Sequence, residues 1–326
     1  MTLHAWTPPA PVAVLDGGVG HALKTARGDA AFLGGALLAA EEPEEVVRVH
    51  TAFIGAGAQL ATAASFGVTP RSLAAAGLPD SDLERLVTAC VKAARRAADA
   101  ASPRAGVAAP LPPLGECYKA GGAGDADKAV QINARIARAA LAAGADILLA
   151  ETLTGSTDAV AALRGAAAAG AAGDRVWLSW TVADSDGAVT RGGERLEAAA
   201  AAAVAATAGG PPPAVLAVNC SSLAAVEAGV RALAPVAAAS GARVGAYGNA
   251  FVSTTEAHLE SGGSSEPPPD APLPPVVPPA AFGEAATRWL RAGATLAGGC
   301  CGAGPEHVAA VRDAVAECWG GRGAQA

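Results

Sequence analysis

Residues 143–151 read Ala143-Gly144-Ala145-Asp146-Ile147-Leu148-Leu149-Ala150-Glu151, or AGADILLAE. The glycine suits the left-handed turn that ends a helix. The short apolar run that follows does not alternate with polar residues, as expected of a parallel strand buried on both faces. An acid closes it. The same AGA recurs at 56–58 and 292–294, each time ahead of another candidate strand. Reading outward gives eight strand candidates, at 12–16, 58–65, 104–109, 146–151, 175–181, 214–219, 242–247 and 294–298. Helical stretches follow near 43–57, 81–101, 125–143, 155–169, 194–208, 222–240, 280–292 and 305–318. Pro43 and Pro305, each followed by glutamate, suit helix first turns, and Ser222 suits an N-cap. Eight strand–helix units in 326 residues predict an α/β fold, a (β/α)8 TIM barrel, as a single domain over 1–326. An open doubly wound sheet is the competing architecture. Its glycine-rich nucleotide loop would follow the first strand, but LDGGVGHAL lacks the G-x-G-x-x-G spacing.

The proline-rich segment 261–281, SGGSSEPPPDAPLPPVVPPAA, interrupts this rhythm. Proline rejects helix and sheet interiors. The helix–strand–helix after it is too small to fold alone. The segment is therefore expected to be a loop insertion between the seventh strand and its helix, on the rim where barrel active sites sit.

Composition narrows the function. The chain is 52% hydrophobic, carries a net charge of −7 and has no basic cluster, so neither nucleic acid nor an anionic membrane is an expected partner. The N-terminus lacks the pattern of a secretory signal. The alanine-rich runs at 159–172 and 196–208 are broken by Arg164, Gly165, Gly170 and Gly209, as in soluble helices. The expectation is a cytoplasmic protein, monomeric or a small homo-oligomer. Six cysteines without a secretion signal point to metal binding or free thiols rather than a disulfide framework.

In a parallel barrel, the C-terminal ends of the strands converge on one rim. The rim would gather Asp16 from strand one, Ser65 from two, Glu151 from four, Asn219 and Cys220 from six, and Cys300 and Cys301 after eight. Adjacent side chains of a regular strand face opposite ways. Two neighbouring cysteines can share a target only where the backbone leaves the strand, and Gly298, Gly299 and Gly302 permit that. Alone, the Cys300-Cys301 pair reads as a vicinal disulfide or two core thiols. With Cys220 at a second strand end, three thiolates at about 2.3 Å from one ion fit zinc, with a fourth position open. Asp16 and Glu151 suit helix capping or, beside such a site, an ammonium group. Cys90 and Cys318 read as structural, and Cys117 is the one candidate for a fourth ligand that would close the site. His50, His258 and His307 have no partner spacing, and His21 reads as a helix-start residue near the mouth.

These motifs resemble the homocysteine S-methyltransferase family over nearly the whole chain. GGCCG at 298–302 and VNCSS at 218–222 carry the resemblance most specifically. DGG at 16–18, ATAASFG at 61–67, ETL at 151–153 and YGN at 247–249 add to it. The resemblance implies a barrel that binds zinc through Cys220, Cys300 and Cys301, with homocysteine's sulfur in the open position. It also implies that Asp16 and Glu151 hold the substrate's amino group, with Gly17, Ser65 and Asn219 among the substrate contacts. The expected reaction is methyl transfer from a sulfonium donor to homocysteine, giving methionine. The length leaves no room for folate and cobalamin modules, and the chain stops soon after Trp319, without the extension of betaine-using relatives. S-methylmethionine or S-adenosylmethionine is therefore the expected donor, with selenocysteine an alternative acceptor. A zinc hydrolase, and a non-catalytic barrel with a structural zinc or redox cysteine site, are the readings from other classes.

Overall fold

The computed structural model describes residues 12–27, 35–115, 124–207, 209–260 and 273–319, together with Trp6, Leu33 and Tyr118. Eight strands form one sheet: β1 (Ala13–Val14), β2 (Leu60–Thr62), β3 (Gly106–Leu111), β4 (Ile147–Leu153), β5 (Val176–Trp180), β6 (Val215–Asn219), β7 (Arg243–Gly248) and β8 (Leu296–Gly299). All eight fall on the candidate segments. Around them run α1 (Val19–Arg27), α2 (Ala36–Glu41), α3 (Pro43–Ala56), α4 (Pro70–Ala75), α5 (Leu83–Asp99), α6 (Ala126–Ala142), α7 (Ser156–Ala168), α8 (Leu196–Ala205), α9 (Leu223–Ser240), α10 (Thr255–Glu260), α11 (Pro279–Arg291) and α12 (Pro305–Trp319). The short helices α2, α4 and α10 were not expected. Their six residues each are too few to show a hydrophobic period.

The strand order is β1-β8-β7-β6-β5-β4-β3-β2, every ladder is parallel, and the architecture is a nearly closed (β/α)8 barrel. The remaining seam, between β1 and β2, is joined largely by side chains. Gln59 N donates to the Val14 carbonyl at 2.8 Å, and Gln59 Oε1 accepts from Val14 N at 2.9 Å. Asp16 then accepts from Thr62 N at 2.6 Å and from its hydroxyl at 2.7 Å. A rim acid thus takes the place of a ladder rung. The second strand is shorter than expected, and Ser65 lies in the turn beyond it.

Alternation sorts each strand into two cores. Ala13, Leu15, Leu60, Ala108, Ile147, Leu149, Trp177, Val215, Ala217, Tyr247 and Leu296 fill the barrel, with Trp6 packed against them. Intervening residues such as Leu148, Ala150, Leu178, Leu216 and Val218 face the helices. α9 is apolar and long enough to cross a membrane, but here its Gly229 packs on Val218 of β6 in the helical ring.

Of the proline-rich insertion, 261–272 lie outside the described residues. The rest docks on the rim: Phe251 bridges Val276, Val252 N donates to the Pro275 carbonyl at 3.0 Å, and Val277 N donates to the Ala250 carbonyl at 2.7 Å. His307 fastens its end, with Nε2 2.8 Å from the Val277 carbonyl and Nδ1 accepting from Gly304 N at 3.1 Å.

Two turns meet where the barrel begins and ends. A Cβ at Gly17 would collide with the Ala303 carbonyl, and one at Gly18 would lie 2.7 Å from the Cys300 carbonyl oxygen. In α3, by contrast, a Cβ at Gly55 would meet nothing within 4 Å. Gly17→Ala is therefore expected to cost about 1–3 kcal/mol in urea unfolding by overpacking. Gly55→Ala is expected to be neutral or to gain about 0.5 kcal/mol from helix propensity. Equal effects of the two changes would refute the close-approach argument.

Candidate active site

The strand phase places the first group of site residues. On β4, Ile147 and Leu149 point into the barrel, so Glu151 does too. Thr152 then takes a positive φ of 61°, the β4–β5 register shifts between Ala150 and Leu153, and Leu153 faces the helices instead. Such a bulge re-aims side chains at a strand end. On β6, Val215 and Ala217 point inward, followed by Asn219. Regular alternation would send Cys220 outward. Its φ of 52° breaks that alternation and returns its sulfur to the mouth. A non-glycine residue in this region is uncommon and costs free energy, so surrounding structure has to hold it.

Asn219 supplies much of that hold. Its Oδ1 accepts from Thr152 N at 3.0 Å and from Ser179 Oγ at 2.8 Å, and its Nδ2 donates to Thr152 Oγ1 at 2.9 Å. One buried amide therefore ties both positive-φ positions together, and its Nδ2 also lies 3.9 Å from Cys300 Sγ.

After β8 the chain turns at Gly302, φ 77°, against Phe251 and Val276. Cys300 N donates to the Gly248 carbonyl at 2.8 Å, and Ala250 N donates to the Cys301 carbonyl at 2.9 Å. The result is one cluster. The sulfurs of Cys220, Cys300 and Cys301 all lie within 4.8 Å of one another, with Cys220 and Cys301 at 3.7 Å. This is the convergence the sequence implied. It is the donor set of a soft metal ion, with no fourth histidine, cysteine or carboxylate in the cluster among the described residues. Cys117, the candidate fourth ligand, lies outside the described residues.

Charge is concentrated around the sulfurs. Hydrogen bonds from Cys300 and Cys301 hold the Cys220 thiol well below its usual range, helped by Tyr118 and His21 against the cost of burial. The other two thiols are correspondingly raised. Burial pushes Asp16 up to about 7 despite its two bonds from Thr62. Glu151 is pushed up to about 8, first by burial and then by the negative charge of Cys220 and Asp16. Glu151 thus feels both Cys220 and Asp16 across the mouth, and crowded buried acids of this kind mark functional sites.

The other expected residues are placed as follows. Gly17 is packed beneath Ala303, and Ser65 is buried with an unpartnered hydroxyl. Cys90 donates to the Ala64 carbonyl at 3.3 Å and is pushed up to about 12 by burial, an inert thiol. Cys318 is half-buried in α12. His21 sits in the first turn of α1, edge-on to Phe251 at 5.4 Å. His50 is buried without a hydrogen bond and pushed down to about 4, far from metal-ligand company.

Two residues of the mouth received no role from the sequence. Tyr118 Oη lies 2.7 Å from Cys220 Sγ. The Tyr247 hydroxyl, buried inside the barrel, lies beside Glu151 and Ser179 in a geometry too loose for a hydrogen bond. Rarity was the available signal: the chain has only two tyrosines, and both face this site.

Known proteins match the chain in sequence and in fold. The profile of the family described as homocysteine S-methyltransferase matches residues 13–315. A homocysteine S-methyltransferase of Escherichia coli strain K12 is 31% identical over 323 residues, spanning 92% of this chain and 94% of the relative. The homocysteine S-methyltransferase YbgG of Bacillus subtilis strain 168 is 32% identical over 139 residues, 38% of this chain and 44% of that protein. Among solved structures, the metallated homocysteine methyltransferase MmuM of Escherichia coli superposes with a TM-score of 0.70 at 24% identity, covering 93% of this chain and 96% of that one. Its oxidised form superposes equally well, at 25% identity over 93% and 95%.

The raised carboxyls set a pH signature. Glu151 binds its proton more tightly folded, near 8, than at its ordinary 4.5, so its contribution to stability falls as pH rises between those values. In the ligand-free protein, Glu151→Gln should therefore melt higher than wild type at pH 9 and lose that advantage by pH 5. A difference independent of pH would show that Glu151 is not a strained buried acid.

Proposed function

The chain belongs to the homocysteine S-methyltransferase family, and within it we propose methyl transfer from a sulfonium donor, S-methylmethionine or S-adenosylmethionine, to the thiol of homocysteine, with Cys220, Cys300 and Cys301 holding zinc. The observation that carries this reading is the gathering of three sulfurs from two strand ends beside two buried carboxyls. Three soft donors, with no fourth in the cluster among the described residues, favour zinc with a position left for substrate over a closed structural site. When bound, zinc would keep the homocysteine sulfur deprotonated at neutral pH.

The residues of the chain do the rest. Asp16 and Glu151 accept hydrogen bonds from the substrate ammonium, and its positive charge favours their ionised forms. Asp16 keeps Thr62 as its anchor, so its carboxylate meets the substrate already oriented. Gly17 lets the first turn approach the cysteine loop, and Ser65 offers an unpaired hydroxyl to the polar end of the substrate. Asn219 acts from behind, on Thr152 and the Cys300 sulfur. Transfer forms the bond between homocysteine sulfur and methyl carbon while the donor's carbon–sulfur bond breaks, and the donor departs as a neutral thioether. The site favours a cationic donor, whose charge stabilises the ionised forms of its carboxyls and of Cys220, and the rings of Tyr118, Phe251 and His21 stand around the cysteines. A reducing cytoplasm suits a site of free thiols, and the whole of 1–326 serves as one barrel unit.

Two measurements test this. Cys300→Ser should lose both zinc and methionine formation, whereas full turnover without metal would refute the zinc reading. Asp16→Asn and Glu151→Gln should keep zinc and raise the KM for homocysteine roughly 10–100-fold, the scale of one hydrogen bond to a charged group. Assaying each sulfonium donor with homocysteine and with selenocysteine identifies the pair used.

A further inference from the structure

Behind the cysteine cluster lies a buried ion pair that the proposed chemistry leaves unused. Arg191 and Asp184, in the excursion between β5 and α8, have side chains 5% and 3% exposed and meet at 2.7 Å. Glu256 of α10 approaches Arg191 Nη1 at 3.6 Å. Asp184 is pinned in turn, accepting from Ser222 N at 2.8 Å and Glu256 N at 3.1 Å. Taking such charges out of water costs several kcal/mol per ion, so a buried pair is poor evidence of stabilisation and better evidence that a geometry is being held.

The geometry held is that of Cys220. Arg191 Nε donates to Thr181 Oγ1 at 3.3 Å, and that hydroxyl donates to the Cys220 carbonyl at 3.1 Å. The same guanidinium lies over the Tyr118 ring, 5.6 Å from its centroid, and the Tyr118 hydroxyl reaches the Cys220 sulfur at 2.7 Å. One cation therefore grips Cys220 by two arms, through its backbone and through its sulfur, at a residue whose φ of 52° needs such support. We infer that Tyr118, oriented by Arg191, is a positioning residue that donates a hydrogen bond to the Cys220 sulfur while that sulfur ligates the metal. This deepens the zinc reading above and rests on it.

The physical consequence is electronic as well as geometric. A phenol hydrogen bond to an anionic sulfur is charge-assisted and favours the deprotonated ligand. It also draws electron density from the sulfur, leaving the metal a better acceptor for a substrate thiolate. A cation over the ring face makes the phenol a stronger donor. Partners behind a ligand typically contribute roughly 10–100-fold to metal affinity.

Tyr118→Phe removes the hydroxyl and keeps the ring over Arg191. In protein loaded with cobalt(II) alone, the thiolate-to-metal charge-transfer band should move to lower energy. Zinc affinity, measured against a chromophoric chelator, should fall roughly 10–100-fold, with the metal-free protein still folded by far-ultraviolet circular dichroism. Arg191→Lys should shift the band the same way by less, and carries the test should Tyr118→Phe fail to fold. A Tyr118→Phe protein with wild-type band and affinity overturns the inference and leaves the zinc reading standing. A wild-type protein that binds no cobalt or zinc overturns both.

Discussion

The site depends on one close approach, between the turn leaving β1 and the turn leaving β8. Asp16-Gly17-Gly18 lies against Cys300–Ala303 so closely that no Cβ fits on either glycine, and Gly18 N bonds the Ala303 carbonyl at 2.9 Å. These are also the turns that leave the first and last strands, which pair directly in the sheet. Pairing the first strand with the last and lodging the cysteine pair beside Asp16 are therefore one structural event. A side chain at Gly17 would move the acid and the sulfurs together.

Around that contact the chain accepts strain and unfavourable charge. Two carboxyls are buried and pushed to about 7 and about 8, the Cys220 thiol among them is held well below its usual range, and Thr152 and Cys220 sit at positive φ. Apart from the bonds of Asp16 across the β1–β2 seam, none of this helps the barrel fold. The acidic groups among them suit a cation at the mouth. A barrel with a large, well-packed apolar core tolerates such a mouth, and local rules fail where function is placed.

Much of the fold was legible because parallel strands buried on both faces leave short unbroken apolar runs. AGADILLAE shows the whole unit in nine residues: helix stop, strand, rim acid. The strand ends were legible for the same reason, so Asp16, Glu151, Asn219 and the cysteines could be assigned to one rim. The boundaries were less so. In ATAASFG the apolar run continues past Thr62, although the strand stops there, because the sequence does not reveal that Asp16 takes over the bonding of the seam. Helices of one or two turns left no period to read.

By itself, then, the sequence determined the barrel, its order of strands and the three sulfurs that meet, since hydrophobic period and motif spacing are written locally. Only the tertiary structure decided how those groups are held. The left-handed turn at Cys220, the double grip of Asn219 on Thr152, the seam role of Asp16 and the reach of Tyr118 and Arg191 toward one sulfur all join residues far apart in the chain. Tyr118 and Cys220 are 102 positions apart. No local pattern encodes such a pair, because the contact exists only once the barrel has brought its strand ends to one rim.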